Sequence, residues 1–433
     1  MRLITNEQSN IIFSEDSTMH IFSLAGTGKT FTLSEYAKLH KFSKILYIVY
    51  NSSMRISAMM RFSERVKVET FHSLSYKYIG KHYEVGDIKL EKISEITKLN
   101  IRDSYSLIKL IGEFCNSDKK EITEFNSPLV EKAKLIWDMM LDKKLPMLHD
   151  VHLKLFELNG VKLSDYEIIM VDEAQDINIV GLNIVNNQDA KKIFIGDPNQ
   201  RIYSFRGSLD IFKDKSDKYM LTKSFRFGQE IADIANIILE RKNYKYKLEG
   251  DESKRSFVST SDFEDIPVTI IFRTNTALFN EAIKLINSVG DDIYIVGAEN
   301  IFNKILNVLN LKEGKEIIND KHLESMNSYR EFIGLSNLIP EYKFIIKLID
   351  SYGPSLRAYI KKLQKASKKN ASHTLVTAHK SKGLEFFYVK IYDDFTKIEK
   401  ANEEELNILY VAITRSTDYL TLNKDISNYI NIT

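Results

Sequence analysis

Five short runs of aliphatic and aromatic residues limit most strongly what this chain can fold into. They are almost free of charge, are bounded by polar residues, and lie at 45–50, 166–171, 193–196, 268–272 and 293–297. Such runs are typical of strands buried on both faces of a parallel sheet. Segments with helical periodicity, such as 30–42 and 229–242, alternate with them. The sequence therefore predicts an α/β fold in which crossover helices connect parallel strands.

Composition limits the class of protein more than its function. The chain has 433 residues, of which 43% are hydrophobic and 6 are proline, so it can form about two to four domains with substantial cores. The 61 Lys and Arg residues nearly balance the 59 Asp and Glu residues. The resulting net charge of +2 neither indicates nor excludes a local nucleic-acid groove.

Cysteine content and hydropathy indicate the cellular setting. The single cysteine, Cys115, cannot form an intrachain disulfide and argues against a thiolate zinc site, so we expect it to be a buried apolar residue. No apolar run approaches the roughly 20 residues that cross a bilayer, and the first residues contain no apolar signal region. We therefore expect a cytoplasmic protein with no membrane partner.

Two segments, 76–160 and 311–371, interrupt the alternation of strands and helices. Both are rich in charge and have helical periodicity, so we expect helical insertions. The stretch from Ser351 to Leu384 has no acidic residue and eight basic ones. It is compatible with a surface that faces phosphates and equally with a solvated helix face.

A glycine-rich segment, LAGTGKT at 24–30, lies between an apolar segment and a helical one. This order of strand, loop and helix is the setting that a phosphate-binding loop requires. Backbone amides at the turn would face the phosphates, namely those of Ala25, Gly26, Thr27 and Gly28. Lys29 would bridge the β- and γ-phosphates of ATP, and Thr30 would ligate Mg²⁺. The strict pattern has glycine at position 23, where this chain has Ser23.

An acidic pair, Asp172 and Glu173, directly follows the buried run at 168–171. The carboxyl end of a strand is where α/β sheets bind ligands. Asp172 would belong to the Mg²⁺ shell, and Glu173 would act as general base for the attacking water. An ordinary acidic helix terminus would explain one carboxylate but not its combination with Lys29 and Thr30.

Further motifs follow in order along the chain. They are TNEQ at 5–8, YN at 50–51, TFHS at 70–73, DEAQD at 172–176, GDPNQRIYSFRG at 196–207, SFR at 224–226, RTN at 273–275, TAHKSKGLEF at 377–386 and LYVAITR at 409–415. This ordered set resembles the UvrD/Rep-like superfamily 1 DNA helicases. The compact layout is similar to the branch that contains the F-box DNA helicase motor and small phage and bacterial helicases.

The resemblance implies an α/β fold of two RecA-like parallel-sheet motor domains with small, mainly helical insertions. Residues 1–75 and 161–221 would form the first motor domain, and residues 222–310 and 372–433 the second. The insertions would be 76–160 and a reduced 311–371. Because relatives carry much larger insertions, their duplex-binding behaviour is not carried over.

The resemblance also assigns nucleotide contacts. Gln8 would bind adenine, Phe225 would stack on it, and Glu385 would lie near the ribose. Gln200 would sense the γ-phosphate, and Arg226 and Arg415 would bind it from the second block, so that ATP lies between the two blocks. The implied catalytic residues are Lys29, Glu173, Gln200, Arg226 and Arg415. Phe31 replaces an arginine found near adenine in many relatives.

Contacts with single-stranded DNA follow from the remaining motifs. The implied residues are Tyr50, Asn51, Thr70, Phe71, His72, Phe205, Arg206, Arg273, Asn275, Thr377 and His379. Phe205 stands where relatives usually have a tryptophan that stacks on a base. Phenylalanine keeps the aromatic face but offers less area, so stacking at the low end of about 1–3 kcal/mol per base is expected.

These residues together predict an ATP- and Mg²⁺-dependent DNA helicase or translocase. The resemblance implies movement 3′ to 5′ on single-stranded or tailed duplex DNA by a monomer, in replication, recombination or repair. One alternative is a DNA-stimulated ATPase that strips proteins from DNA without unwinding. Another is a regulatory subunit that serves a nuclease of a defence system, and a protein partner in replication, recombination or defence stays open.

Overall fold

A computed structural model describes residues 4–204, 207–288, 290, 292–324, 326, 328–366 and 368–430. The chain forms two compact units. The first comprises Met1–Ile88 and Lys92–Phe225, and the second comprises Lys89–Glu91 and Arg226–Thr433. The division of each motor domain from its insertion, with the boundaries given above, stays a prediction.

The first unit is built on a six-stranded parallel sheet. Its strands are β1 (Thr18–Ser23), β2 (Ile45–Val49), β3 (Val66–Thr70), β4 (Ile168–Val171), β5 (Lys191–Gly196) and β6 (Tyr219–Leu221). Their order is β3-β2-β4-β5-β1-β6, and every neighbouring pair is parallel. The carboxyl ends of all these strands therefore lie at one edge of the sheet.

Nine helices occur among the described residues up to position 186. They are α1 (Asn6–Ile12), α2 (Lys29–Leu39), α3 (Ser52–Met59), α4 (Phe71–Tyr78), α5 (Leu90–Thr97), α6 (Ile101–Cys115), α7 (Val130–Leu141), α8 (His149–Leu158) and α9 (Ile179–Asn186). Helices α5 to α8 fall within the predicted insertion 76–160 and surround an apolar core that includes Phe114 and Trp137. Cys115 belongs to this core, which confirms its prediction as a buried apolar residue. Burial raises the pKa of its thiol well above the usual value.

The second unit contains another six-stranded parallel sheet. Its strands are β7 (Phe257–Ser259), β8 (Val268–Phe272), β9 (Ile293–Ile295), β10 (His373–Thr377), β11 (Phe386–Ile391) and β12 (Ser416–Thr421), in the order β7-β12-β11-β8-β10-β9. Its helices are α10 (Gln229–Arg241), α11 (Asn275–Ser288), α12 (Glu299–Glu313), α13 (Lys321–Glu324), α14 (Tyr329–Ser336), α15 (Pro340–Tyr352), α16 (Leu356–Ala366), α17 (Ala378–Ser381), α18 (Glu403–Ile413) and α19 (Lys424–Tyr429). The prediction of an α/β protein with two parallel sheets is confirmed.

Strand β2 shows why a continuous apolar run forms a strand here. Successive side chains of a strand point to opposite faces of its sheet. Ile45, Tyr47 and Val49 join one apolar core, whereas Leu46 and Ile48 join the other. Because helices cover both faces, no position of β2 can be polar without a buried partner.

All five apolar runs form strands, namely β2, β4, β5, β8 and β9, although β2, β4 and β9 are shorter than their runs. Strand β3 is not evident from the pattern because its sequence, VKVET, carries two charges. Of these, Glu69 is buried, and its carboxylate contacts the side chains of Lys77, Ser73 and Arg55. Burial works against the charge of Glu69, but these three partners outweigh it and lower its pKa.

Within the described part of the chain, no helix has the length and apolar character needed to cross a membrane.

Gly196, the last residue of β5, must be glycine because neighbouring atoms leave no room for a side chain. A methyl carbon added to Gly196 would lie 2.2 Å from Oε1 of Gln175 and 3.1 Å from the backbone nitrogen of Ala174. Gln175 is almost fully buried, so it cannot swing away without losing its own contacts. The carboxyl ends of β4 and β5 are thus packed directly against each other.

Replacing Gly196 with alanine should lower the free energy of unfolding by about 1–3 kcal/mol, because the added methyl group overpacks a buried site. Gly112→Ala is the matched control, since it lies within α6 of the same unit and an added methyl group there meets no atom within 4 Å. The control should stabilise α6 by about 0.5–1 kcal/mol. Urea unfolding followed by circular dichroism measures both, and equal midpoints for the two variants would contradict the packing described here.

Candidate nucleotide and nucleic-acid sites

The phosphate-binding loop lies between β1 and α2, as its sequence predicts. Gly26 and Gly28 have positive φ angles of 76° and 83°, and Gly28 is the residue that precedes the first turn of α2. The Thr27 hydroxyl donates a hydrogen bond to the Leu24 carbonyl oxygen at 2.9 Å, which closes the loop on itself. A left-handed turn at a helix N-terminus presents consecutive N–H groups to an anion.

Ser23, the departure from the strict glycine pattern, has a structural role. Its buried hydroxyl donates to the carbonyl oxygen of Gly196 at 2.9 Å. The side chain therefore joins the carboxyl end of β1 to that of β5. The departure does not disturb the loop, because the left-handed positions are at Gly26 and Gly28.

Lys29 and Glu173 form the central ion pair of the site. Nζ of Lys29 lies 3.0 Å from Oε1 of Glu173, and only about one seventh of each side chain is exposed (14% and 15%). Burial opposes the charge of the ammonium group. The carboxylates of Glu173, Asp172 and Asp197 outweigh this effect, so the pKa of Lys29 is raised. The lysine is therefore charged at neutral pH and positioned at the loop.

Glu173 adopts a left-handed backbone conformation with φ at 50°. A non-glycine residue there costs on the order of 1–3 kcal/mol and persists only where its surroundings hold it. Its backbone N–H donates to Oδ1 of Asp172 at 2.9 Å, and its Oε2 accepts from Nε2 of Gln175 at 2.5 Å. The turn after β4 thus gives the side chains of Asp172 and Glu173 different partners. Separate roles in Mg²⁺ binding and in proton transfer would require this.

Asp172 is buried and contacts a residue that the motif analysis does not identify. The hydroxyl of Tyr47, in the middle of β2, donates to Oδ2 of Asp172. Burial, followed by the nearby Glu173 carboxylate, raises the pKa of Asp172 despite the opposing effects of Lys29 and Tyr47. The sequence contains one sign of this contact, a tyrosine inside a run of aliphatic residues. A buried phenol usually needs a hydrogen-bond partner.

Gln175 connects the acidic motif to the motif that follows β5. Its Oε1 accepts a hydrogen bond from the backbone nitrogen of Asp197 at 3.0 Å, while its Nε2 holds Glu173. Oδ2 of Asp197 accepts from Nε2 of Gln200 at 2.7 Å, and its Oδ1 accepts from the backbone nitrogen of Asn199 at 2.9 Å. Gln200 is therefore linked to Glu173 through buried hydrogen bonds.

Gln8 and Phe225 lie beside the phosphate-binding loop. Gln8 and Thr5 form a capping box at the start of α1, in which Oε1 of Gln8 accepts from the Thr5 backbone nitrogen at 3.1 Å. A methyl carbon added to Gly28 would lie 3.2 Å from Nε2 of Gln8 and 3.6 Å from the Phe225 ring. The Phe225 backbone nitrogen donates to the Gly26 carbonyl oxygen at 2.8 Å.

The Gln8 amide fits a purine. Gln8 is buried, and its Nε2 has no hydrogen-bond partner among the described residues. A buried donor left unpaired costs about 1–3 kcal/mol, and a ring nitrogen of adenine would satisfy it. The amide and the aromatic ring of Phe225 at one loop suit a nucleotide base, and Lys29, Thr30 and Asp172 suit its phosphates and Mg²⁺.

In the second unit, three residues from separate motifs come together. Nε and Nη2 of Arg226 lie 2.9 and 2.8 Å from Oε1 of Glu385, and its Nη1 donates to the Thr414 carbonyl oxygen at 2.6 Å. Burial tends to raise the pKa of Glu385, but Arg226 and Arg415 outweigh it and lower the pKa. Arg415 is buried, and its Nε donates to the Val411 carbonyl oxygen at 2.9 Å.

Two of the DNA residues expected from the sequence follow β2. The Tyr50 ring stacks on Tyr203 with 5.4 Å between centroids and 9° between planes. Asn51 caps α3, since its Oδ1 accepts from the Met54 backbone nitrogen at 2.9 Å. Phe205 and Arg206, two further expected contacts, lie outside the described residues.

Three more expected contacts lie where β3 meets α4. Thr70 is buried and caps α4 by accepting from the Ser73 backbone nitrogen at 3.0 Å. Phe71 is half-buried and packs against the apolar core beside α9. His72 is exposed, and its Nε2 lies 2.9 Å from Oδ1 of Asp150. Their part in binding DNA stays a prediction.

The expected DNA residues of the second unit follow β8 and β10. The guanidinium of Arg273 donates from Nε and Nη2 to the Glu405 carboxylate at 2.9 and 2.6 Å. Asn275 is the first residue of α11, and Thr377 precedes the short helix α17, in which His379 is half-buried. These residues share the carboxyl edge of the second sheet, and their contacts with DNA also stay predictions.

Known protein families match both units. An AAA domain matches residues 8–206, and a UvrD-like helicase C-terminal domain matches residues 373–422. F-box DNA helicase 1 of Gallus gallus is 28% identical over 99% of this chain and 50% of its own length. F-box DNA helicase protein 1 of Schizosaccharomyces pombe is 27% identical over 98% of this chain and 58% of its own length.

A further relative, Gabija protein GajB of Bacillus cereus, is 25% identical over 62% of this chain and 66% of its own length. The chain spans about half the length of the two F-box helicases, at 50% and 58%. Its two domain matches and its homology with both F-box helicases agree with the residues assembled at the sheet edges. The chain therefore contains a UvrD-like pair of helicase domains and is homologous to the F-box DNA helicases and other superfamily 1 DNA helicases.

Proposed function

We propose that this chain is an ATP-dependent motor that moves 3′ to 5′ on single-stranded DNA and unwinds tailed duplexes. The observation that carries the proposal is the joining of Lys29, Glu173 and Gln200 into one buried, hydrogen-bonded group at the carboxyl edge of the first sheet. Beside it, the unpaired Gln8 amide fits an adenine. The direction of movement rests on the family resemblance.

Hydrolysis follows from an exchange of partners at Lys29. A bound γ-phosphate competes with Glu173 for the lysine, and the carboxylate that is released can then accept a proton. The water oxygen forms a bond to the γ-phosphorus, the bond from that phosphorus to the bridging oxygen breaks, and the water proton passes to Glu173. Thr30 and Asp172 would hold Mg²⁺, which neutralises phosphate charge when it is bound.

The second unit supplies arginine to the same reaction in our proposal. Within that unit, Arg226 contacts Glu385 and the carbonyl oxygen of Thr414, the residue before Arg415. Arg226 and Arg415 would bind the γ-phosphate, for which a planar, permanently charged guanidinium is suited. Once the phosphate leaves, this attraction is lost, so each round of hydrolysis changes the relative stability of two arrangements of the motor.

DNA would contact residues at the same sheet edges that carry the nucleotide groups. Tyr203 lies seven residues beyond Gly196 and stacks on Tyr50, so the segment that holds Gln200 also reaches an aromatic pair expected to face DNA. Stacking on aromatic side chains tolerates any base sequence. We propose single-stranded DNA as the track, a monomer as the active form, and recombination or repair as the setting, since relatives are named DNA helicases.

The first experiment measures ATP hydrolysis with and without single-stranded DNA. DNA should stimulate the wild-type protein, and Lys29→Ala should lower the stimulated rate by about 100-fold because phosphate charge loses its partner. Glu173→Gln should lower it by about 100-fold or more while nucleotide still binds. Lys38→Ala is the matched control, since Lys38 is an exposed residue of the same helix. A wild-type protein that DNA does not stimulate would refute the proposal.

The second experiment tests the base contact. Gln8→Ala should raise the KM for ATP by roughly ten-fold, the value of one buried hydrogen bond, and should narrow the preference for ATP over GTP. Asn10→Ala, at an exposed position of the same helix, serves as the control. If Gln8→Ala kept the wild-type preference for ATP over GTP, Gln8 would not be the residue that recognises adenine.

The third experiment uses duplexes with a 3′ or a 5′ single-stranded tail. The 3′-tailed duplex should be separated in the presence of ATP and Mg²⁺, and its binding should weaken as salt rises, because phosphate contacts release counterions. If only the 5′-tailed duplex were separated, the proposed direction of movement would be wrong. ATP hydrolysis stimulated by DNA without any strand displacement would favour the alternative in which the protein strips proteins from DNA or serves a partner nuclease.

A further inference from the structure

The hydroxyl of Tyr47 lies against Asp172, one of the two side chains proposed to hold Mg²⁺. It donates a hydrogen bond to Oδ2 of Asp172. Burial and the Asp172 carboxylate raise the pKa of Tyr47 well above its usual value. Tyr47, in β2, thus bonds to the residue that directly follows β4.

The direction of this hydrogen bond favours metal binding. A carboxylate has about four lone-pair sites on its two oxygens. The proton of Tyr47 occupies one site on Oδ2 of Asp172, and Oδ1 accepts from the Glu173 backbone nitrogen at 2.9 Å. Both carboxylate oxygens are thus held in place, and lone pairs are left for a cation.

The position of Tyr47 is itself well fixed. It lies in the middle of β2, is fully buried, and its ring is 4.4 Å from that of Phe62 between centroids. The neighbouring strands β3 and β4 hold β2 on both sides. The phenol oxygen is thus presented to the site by the sheet, without a flexible loop.

We propose that Tyr47 is a positioning residue that orients Asp172 for Mg²⁺ and so sets the affinity of the site for the metal. The inference rests on the proposed function, since it concerns the Mg²⁺ that accompanies ATP. Partners in the outer shell of a metal site orient its ligands, and their loss typically lowers metal affinity about 10- to 100-fold. Tyr47 acts through Asp172 and does not itself contact the metal or the phosphates.

The test is Tyr47→Phe, which removes the hydroxyl and keeps the ring. Tyr36→Phe is the matched control, because Tyr36 is a buried tyrosine of the same core whose hydroxyl has no hydrogen-bond partner among the described residues. Binding of a fluorescent, non-hydrolysable ATP analogue is measured by anisotropy across a series of Mg²⁺ concentrations and in EDTA. Circular dichroism and thermal unfolding report whether each variant is folded.

Tyr47→Phe should raise the Mg²⁺ concentration for half-maximal binding about 10-fold, while binding in EDTA stays as in the wild type and Tyr36→Phe changes neither. The comparison is made within each variant, so a modest loss of stability does not affect it. The role of Tyr47 would be refuted, and the proposed function left intact, by either of two results. One is equal Mg²⁺ dependence in the two variants, and the other is an equal loss of binding with and without metal in Tyr47→Phe. A wild-type protein without Mg²⁺-dependent nucleotide binding would overturn the proposed function as well.

Discussion

The ion pair between Lys29 and Glu173 is the interaction on which the candidate site depends. A largely buried pair is favourable only when both charges are well positioned and further hydrogen bonds satisfy them. Here the phosphate-binding loop fixes Lys29 at the first turn of α2, and Gln175 fixes Glu173 in a left-handed conformation. The pair joins the segments that follow the carboxyl ends of β1 and β4.

Other contacts extend this pair to a third strand. Ser23 bonds the end of β1 to Gly196 of β5, and Gln175 bonds the turn after β4 to Asp197. The ends of β1, β4 and β5 therefore form one hydrogen-bonded group, with space for no side chain at Gly196. Lys29 is thereby connected to Gln200 by one ion pair and a series of hydrogen bonds that are wholly or partly buried.

Much of the fold is visible in the sequence because strands buried on both faces must be continuously apolar. Strands β2, β4, β5 and β8 are apparent for that reason, and the P-loop is apparent because phosphate binding requires glycine and lysine at fixed spacing. Tyr47 could not be predicted in the same way, since its partner Asp172 is 125 residues away and only the alignment of β2 with β4 brings them together. The partnership of Arg273 with Glu405, 132 residues apart, was hidden for the same reason.

Three of the cations expected to contact ATP or DNA share a feature that no single motif shows. Lys29 lies 3.0 Å from Glu173, Arg226 lies 2.8 Å from Glu385, and Arg273 lies 2.6 Å from Glu405. Each carboxylate stabilises its cation in a partly buried position, where an unpaired charge would be costly. Under the proposed function, a phosphate that approaches any one of these cations meets a carboxylate already paired with it. Binding is therefore strongest where the phosphate gains other donors as well, as it would at Lys29 beside the backbone amides of the phosphate-binding loop.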